Sequence, residues 1–231
     1  MTALPRTIPA LILLAILTVP VFAAPPLPAD PRAARAVQDY LRQMQAEESR
    51  TRDQRVADRI EALANNPASP VLANPKGDIT IIEFSDYACP YCKAAEPRLM
   101  ALVNADKRVR LVMKEFPILT KASMTASRMA LAANKQGKYR QFHLALMRLE
   151  GALSEDAILE TARAVGLDIA RAKRDMHAPD VSDEIIANFN LARGIRAFQT
   201  PTYVVDGHIL NSDSANIDFA REVQAARSKR K

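Results

Sequence analysis

Ile79-Thr80-Ile81-Ile82-Glu83-Phe84-Ser85-Asp86-Tyr87-Ala88-Cys89-Pro90-Tyr91-Cys92 is the stretch that decides the fold. Its first residues, Ile79 to Phe84, read as a buried strand, and the residues after the cysteines read as a helix. Cys89 and Cys92 are the only two cysteines among 231 residues. A chain that avoids cysteine elsewhere and then spaces two this way points to thiol chemistry at one place. The first sulfur falls at a strand-to-helix turn, where a helix N-terminus stabilises a thiolate.

Working outward, Val71-Leu72 reads as a short edge strand and Asn74-Pro75-Lys76-Gly77-Asp78 as a turn. A helix is expected from about Pro90 to Asn104, then a strand from Val109 to Phe116 ended by Pro117. From about 120 to 196 the apolar residues recur at helical spacing. Gly137, Gly151 and Gly166 mark boundaries there, and Ser154-Glu155-Asp156 starts a helix. Four or five helices fit. Pro201 to Val205 is a strand, and Asp206-Gly207 turns it into a second short strand at His208 to Leu210. A last helix is expected from about Ser214 to Ala226.

Upstream, Arg6 and the apolar run Ile8 to Val19 have the form of an export signal, with a cut after Ala23 at Val21-Phe22-Ala23. The run is well short of the ~20 residues of a membrane span. Removing residues 1–23 leaves 208, enough for one domain carrying an insertion, and the formal charge falls from +6 to +5 with Arg6. Basic residues are not interleaved with aromatics, so composition argues against a nucleic-acid partner. In an exported chain a dithiol stays a disulfide unless something reduces it.

Residues 24–66 form a proline-rich leader and a helical arm closed by Asn65-Asn66-Pro67-Ala68-Ser69-Pro70. Val37, Leu41 and Met44, and then Val56, Ile60 and Leu63, follow i, i+4, i+7 spacing. Gln45 to Arg55 holds only Ala46 as an apolar residue. Two readings stand: a solvated helix or charged hinge, and two short helical pieces of which at least one packs on a partner subunit.

A Cys-x-x-Cys pair serves redox exchange, zinc, haem attachment or a structural staple. Structural zinc needs more ligands than one pair, and His143, His177 and His208 lie in different elements without ligand spacing. Haem attachment needs His after the second cysteine, and position 93 is Lys. A staple closing so short a loop stabilises little. Redox chemistry remains, with no metal and no cofactor required. A second reading is a binding module that holds Cu(I) between the two sulfurs. Met113, Met124 and Met129 read as core rather than as its ligands.

Strand, helix, strand, helical block, hairpin and helix is the order of a thioredoxin fold with helices inserted between its halves. Glu83 to Cys92, together with Thr200-Pro201-Thr202 after the helical block, resembles the DsbA-like branch of the thioredoxin superfamily. The resemblance covers about Val71 to Ala226, and it sets the domain at 71–228 with the insertion at about 120–196. It implies an α/β fold, a periplasmic thiol–disulfide oxidoreductase, and client proteins with thiols or disulfides. It also implies a membrane or periplasmic redox partner. Cys89 would form the mixed disulfide and Cys92 would resolve it, the two alternating with a redox disulfide. Pro90 suits the first helical turn. Pro201, after Thr200, matches the family's cis-proline opposite the active sulfur, and Glu83 matches its buried acid, which carries a proton to or from Cys92. Asp86 and Tyr87 shape the turn. The arm looks like the N-terminal extensions of ScsC-type members, which makes a homo-oligomer through 31–66 an expectation. One position departs. Tyr91 stands where the strongest oxidants carry His, and it is shared in kind with exported isomerases.

Overall fold

The computed structural model describes residues 31–210 and 216–230. The export signal 1–23, the cut after Ala23, the leader 24–30 and the expected helix start at Ser214 lie outside the described residues. The chain forms two compact units divided between Gln45 and Ala46. Helix α1, Pro31–Ala57, runs unbroken through the charged stretch where composition leaves a hinge open. Neighbouring charges one turn apart support it there: Arg50–Glu47 at 3.7 Å and Arg52–Glu48 at 3.7 Å. In the first unit Val37, Tyr40, Leu41 and Met44 are all exposed.

The second unit is built on a sheet. Strand β1, Ile79–Ser85, pairs in parallel with β2, Val109–Glu115, from Ile79↔Val109 to Ser85↔Glu115. On its other side β1 pairs antiparallel with β3, Thr202–Val205, placing Glu83 opposite Tyr203. Strand β4, His208–Ile209, closes the order β2-β1-β3-β4. The β3–β4 turn has positive φ at both Asp206 (48°) and Gly207 (89°), the conformation that Asp-Gly favours. Val71 makes an isolated antiparallel bridge to Val112 rather than a strand. A Cβ on Gly77 would meet Arg110 N at 2.4 Å, so only glycine lets this turn lie against β2.

Helix α3, Pro90–Ala105, follows β1, and the inserted helices follow β2: α4 Lys121–Asn134, α5 Tyr139–Met147, α6 Glu155–Ala164, α7 Ile169–Asp175 and α8 Pro179–Gly194. Ser154 caps α6 by accepting from Ala157 N, as its sequence implies. The last helix, α9, spans Phe219–Lys229, and the Asp218 carboxylate caps it by accepting from Arg221 N. The short helix α2, Ile60–Asn65, packs beneath the sheet.

Side chains alternate across the sheet and split the core in two. Ile79, Ile81, Leu111, Met113 and Val205 face α3, α9 and the insertion. Ile82, Phe84, Val112 and Val204 face α2 and the end of α8. With both faces covered, β1 is a nearly continuous apolar run. Glu83 breaks it on the face that carries α3. On the opposite face Lys114 is fully buried. Its Nζ donates to Ser69 Oγ at 2.7 Å and to the Ala62 carbonyl at 3.2 Å. Ser69 in turn donates to Glu184 at 2.7 Å, and Asn66 donates to the other oxygen at 2.6 Å. Burial pulls the Lys114 ammonium down to about 8, and the Glu184 charge opposes that.

Candidate active site

Cys89 is the N-cap of α3, with Pro90 in the first turn where its missing N–H costs nothing. Its Sγ accepts from Cys92 N at 3.4 Å and, as a thiol, donates to the Thr200 carbonyl at 3.2 Å. The turn before it is held by Asp86. That carboxylate accepts from Ala88 N at 2.8 Å and reaches across to Ile118 N at 2.9 Å and Leu119 N at 3.0 Å.

The two sulfurs are driven apart in acidity. Cys89 is lowered to about 6, first by a hydrogen bond from the Cys92 thiol, then by the Thr200 hydroxyl and by the backbone N–H groups of Cys92 and Tyr91. Burial opposes these. Cys92 is fully buried and pushed strongly upward, first by burial, then by donating to Cys89 and by the Glu83 charge. One sulfur is an accessible-pH thiolate and the other a buried thiol, which is the division of labour that thiol exchange requires. Cys89 is itself only 2% exposed, whereas Tyr91 beside it is 57% exposed.

Thr200 and Pro201 lie across from the dithiol at the start of β3, joined by a cis peptide bond, with the Thr200 hydroxyl buried. A cleft of about 510 Å³ opens beside Pro201, walled by Phe198, Tyr203, Ile209, Arg52 and Arg196. Phe198 is 69% exposed at its mouth.

Glu83 is fully buried on β1. It accepts from Tyr203 OH at 3.3 Å through one oxygen, while the other has no hydrogen-bond partner. Burial, and after it the neighbouring Glu96 charge, raise this carboxyl well above the usual range. A proton-bearing acid beside a buried sulfur is placed to exchange that proton.

The sequence-based reading did not single out a further set of buried polar groups on this face. Glu96 lies four residues after Cys92 on α3, with both oxygens buried and without a hydrogen-bond partner. His143 of α5, fully buried, sets Nε2 3.5 Å from Glu96 and Nδ1 3.0 Å from Tyr87 OH. Tyr87 and Tyr139 both donate to Glu115, at 2.9 and 2.6 Å. One signal was available: Tyr139, Phe142, His143 and Leu146 share i, i+3, i+4, i+7 spacing, which puts His143 on the buried face of α5. Met113 and Met129 sit in the core, and Met124 packs against the cluster of Leu131, Val181 and Ile185.

Residues 80–223 match the family model of the DSBA-like thioredoxin domain. A thioredoxin-like oxidoreductase from Silicibacter pomeroyi DSS-3 is 43% identical, the match covering 73% of this chain and 97% of that one, with a TM-score of 0.69. The catalytic domain of Proteus mirabilis ScsC shares the fold at 24% identity, with 76% and 98% coverage and a TM-score of 0.68. So does the thiol-disulfide exchange protein alpha-DsbA2 from Wolbachia pipientis, at 21% identity, 79% and 96% coverage and a TM-score of 0.70. Among curated proteins, Na(+)/H(+) antiporter NhaA 1 of Salinispora arenicola is 28% identical over 131 residues. That match covers 56% of this chain and 20% of the antiporter, so the chain spans about a fifth of such relatives.

Proposed function

Because the chain belongs to the DSBA-like thioredoxin domain family, we propose that it is an exported thiol–disulfide oxidoreductase working on client proteins through Cys89 and Cys92. The observation that carries this reading is the placement of the two sulfurs at one helix N-terminus, Cys89 at the cap against the Thr200 carbonyl and Cys92 fully buried one turn on. A client thiolate attacks Cys89 of the disulfide, the S–S bond breaks, and the Cys92 sulfur leaves, taking a proton from Glu83. The second client thiolate then attacks its own sulfur and expels Cys89, which leaves readily as a stable thiolate. In the reverse direction the Cys89 thiolate attacks a client disulfide and Cys92 resolves it, returning its proton to Glu83.

The cleft beside Pro201 takes the client segment, with Phe198 and Ile209 as its apolar wall. Tyr91 cannot stabilise the thiolate as a cation, which favours a dithiol less oxidising than the strongest members of the family. A redox partner then sets the direction of exchange. Export rests on the signal at 1–23, in keeping with one similar structure described as a periplasmic thioredoxin-like protein from Salmonella enterica serovar Typhimurium. No described helix is long and apolar enough to cross a membrane. The exposed Val37, Tyr40, Leu41 and Met44 give the arm at 31–66 a surface for a second copy of the chain.

The test is refolding of a reduced, disulfide-containing protein. Wild type accelerates recovery and Cys89→Ser does not; equal activity of the two overturns the assignment. The reduction potential against glutathione then separates disulfide donation, near about −120 mV, from isomerisation or reduction, near about −200 mV.

A further inference from the structure

Glu83 is not the only buried acid under the dithiol. Cys92 and Glu96 are one helical turn apart on the same face of α3, so the second carboxyl approaches the sheet face on which Glu83 lies. Glu96 is 4% exposed, and neither oxygen has a hydrogen-bond partner. A lone carboxylate in that position would be costly. What faces it is His143, fully buried, with Nε2 at 3.5 Å and unpartnered by any hydrogen bond. The ring's other nitrogen meets Tyr87 OH at 3.0 Å, and the ring stacks on Tyr139.

We propose that Glu96 and His143 form a shared-proton pair that governs when Glu83 gives its proton to the Cys92 sulfur. The proposal rests on the oxidoreductase reading of Cys89 and Cys92. With one proton between them the pair has two arrangements, imidazolium with carboxylate and imidazole with carboxylic acid, and both are net neutral. While Glu83 keeps its proton, either arrangement is tolerated. When Glu83 releases its proton to the departing Cys92 sulfur, a negative charge is left on Glu83. The second arrangement removes the like charge from the adjacent Glu96. The proton moves within the pair, so no outside donor is needed as the Cys89–Cys92 bond breaks.

The remaining titratable groups on this face do not compete for the role. Tyr87 and Tyr139 donate to Glu115 of β2, and Tyr203 of β3 donates to Glu83. Burial pushes all three phenols well up, so they remain neutral donors. Glu115 accepts both hydroxyls through one oxygen, burial raises its carboxyl, and the Tyr87 hydroxyl stands between it and His143. His143 therefore acts through Glu96 as a positioning residue.

The experiment is single-turnover reduction of the oxidised full chain by reduced glutathione across a pH series, quenched with acid and read by mass because the chain has no tryptophan. Rates are divided by the glutathione thiolate fraction, so the remaining alkaline fall reports loss of the Glu83 proton. Glu96→Gln keeps this position neutral without a proton having to leave His143, so it should move this limb down, a fall of up to about tenfold in rate at fixed pH on the limb. His143→Gln leaves Glu83 and Glu96 as two neighbouring buried acids, whose last shared proton is held more tightly, and should move the limb up. The double variant should behave as Glu96→Gln alone. A merely structural role would slow both single variants at every pH without moving the limb in opposite directions. If wild type exchanges with glutathione but the Glu96→Gln limb stays in place, or both variants shift the same way, the pair has no such function. If wild type does not exchange at all, the oxidoreductase reading fails first.

Discussion

Replacing Cys92 by Ala should raise the titration of the sulfur it leaves behind. The Cys92 thiol is the largest stabiliser of the Cys89 thiolate, ahead of Thr200 and the backbone N–H groups, and together they bring Cys89 from 9.0 to about 6. At pH 7 a sulfur titrating near 6 is about ten parts thiolate to one part thiol, against about one in a hundred at the ordinary value. Only the part of the shift below the working pH counts, so at pH 7 the reduced folded form gains about 1.4 kcal/mol, equivalent to about 30 mV towards a more oxidising disulfide. The sign follows from a lowered acidity constant in the folded state. The gain is full above the ordinary value of 9.0, shrinks as pH falls towards about 6, and is absent below it. Without the Cys92 donor the midpoint should rise by about one unit or more. The pH dependence of alkylation by iodoacetamide reads the midpoint in both proteins. A wild-type midpoint at the ordinary value of 9.0 would refute the electrostatic account. So would a midpoint that Cys92→Ala leaves in place.

Glu83→Gln should slow departure of the Cys92 sulfur, and it should also stabilise the reduced protein at alkaline pH. Because burial and Glu96 raise this carboxyl, its favourable contribution is full below 4.5 and is lost as pH climbs. Denaturant melts should therefore separate the two proteins by about 1–3 kcal/mol at pH 8 and leave them close at pH 4.5, and parallel curves would contradict this. Lys114→Ala leaves Glu184 buried without the ammonium and should cost about 3–5 kcal/mol, read as a lower midpoint in urea; a loss within about 0.5 kcal/mol would mean that the Lys114–Ser69–Glu184 network is not stabilising. Leu41→Glu with Met44→Glu should lower the mass measured by light scattering if the arm joins copies of the chain, and the same monomeric mass before and after would eliminate that role.

The strand leading into Cys89 was legible because a buried apolar run, a Cys-x-x-Cys spacing and a following helix each have a strong local pattern. The hairpin was legible for a similar reason, since Asp206-Gly207 carries the positive φ angles its turn needs. Boundaries set by a single side chain were harder to read. Asp218 caps α9, and such a cap is decided by which carboxylate reaches a free N–H. The acids under the dithiol were only partly legible. Glu83 was found because it matches the buried acid of the family that the motif resembles, but Glu96, Glu115 and His143 sit in segments whose patterns already read as ordinary helix and strand. Their meaning comes from the meeting of α3, α5 and the sheet, which no local window contains. Charge composition left a hinge open at Gln45 to Arg55, yet pairs one turn apart support a continuous helix there.

The bond from Cys89 Sγ to the Thr200 carbonyl joins positions 111 residues apart in sequence. During synthesis the dithiol therefore exists long before the backbone that faces it. The insertion, α4 to α8, is rich in contacts between neighbouring helices and can organise while that gap is open. Closing the gap adds β3 beside β1, and this one step brings Thr200 to Cys89 and Tyr203 to Glu83. Both contacts thus form together, when the last part of the chain arrives. A chain cut short before residue 200 would carry both cysteines and neither of these partners.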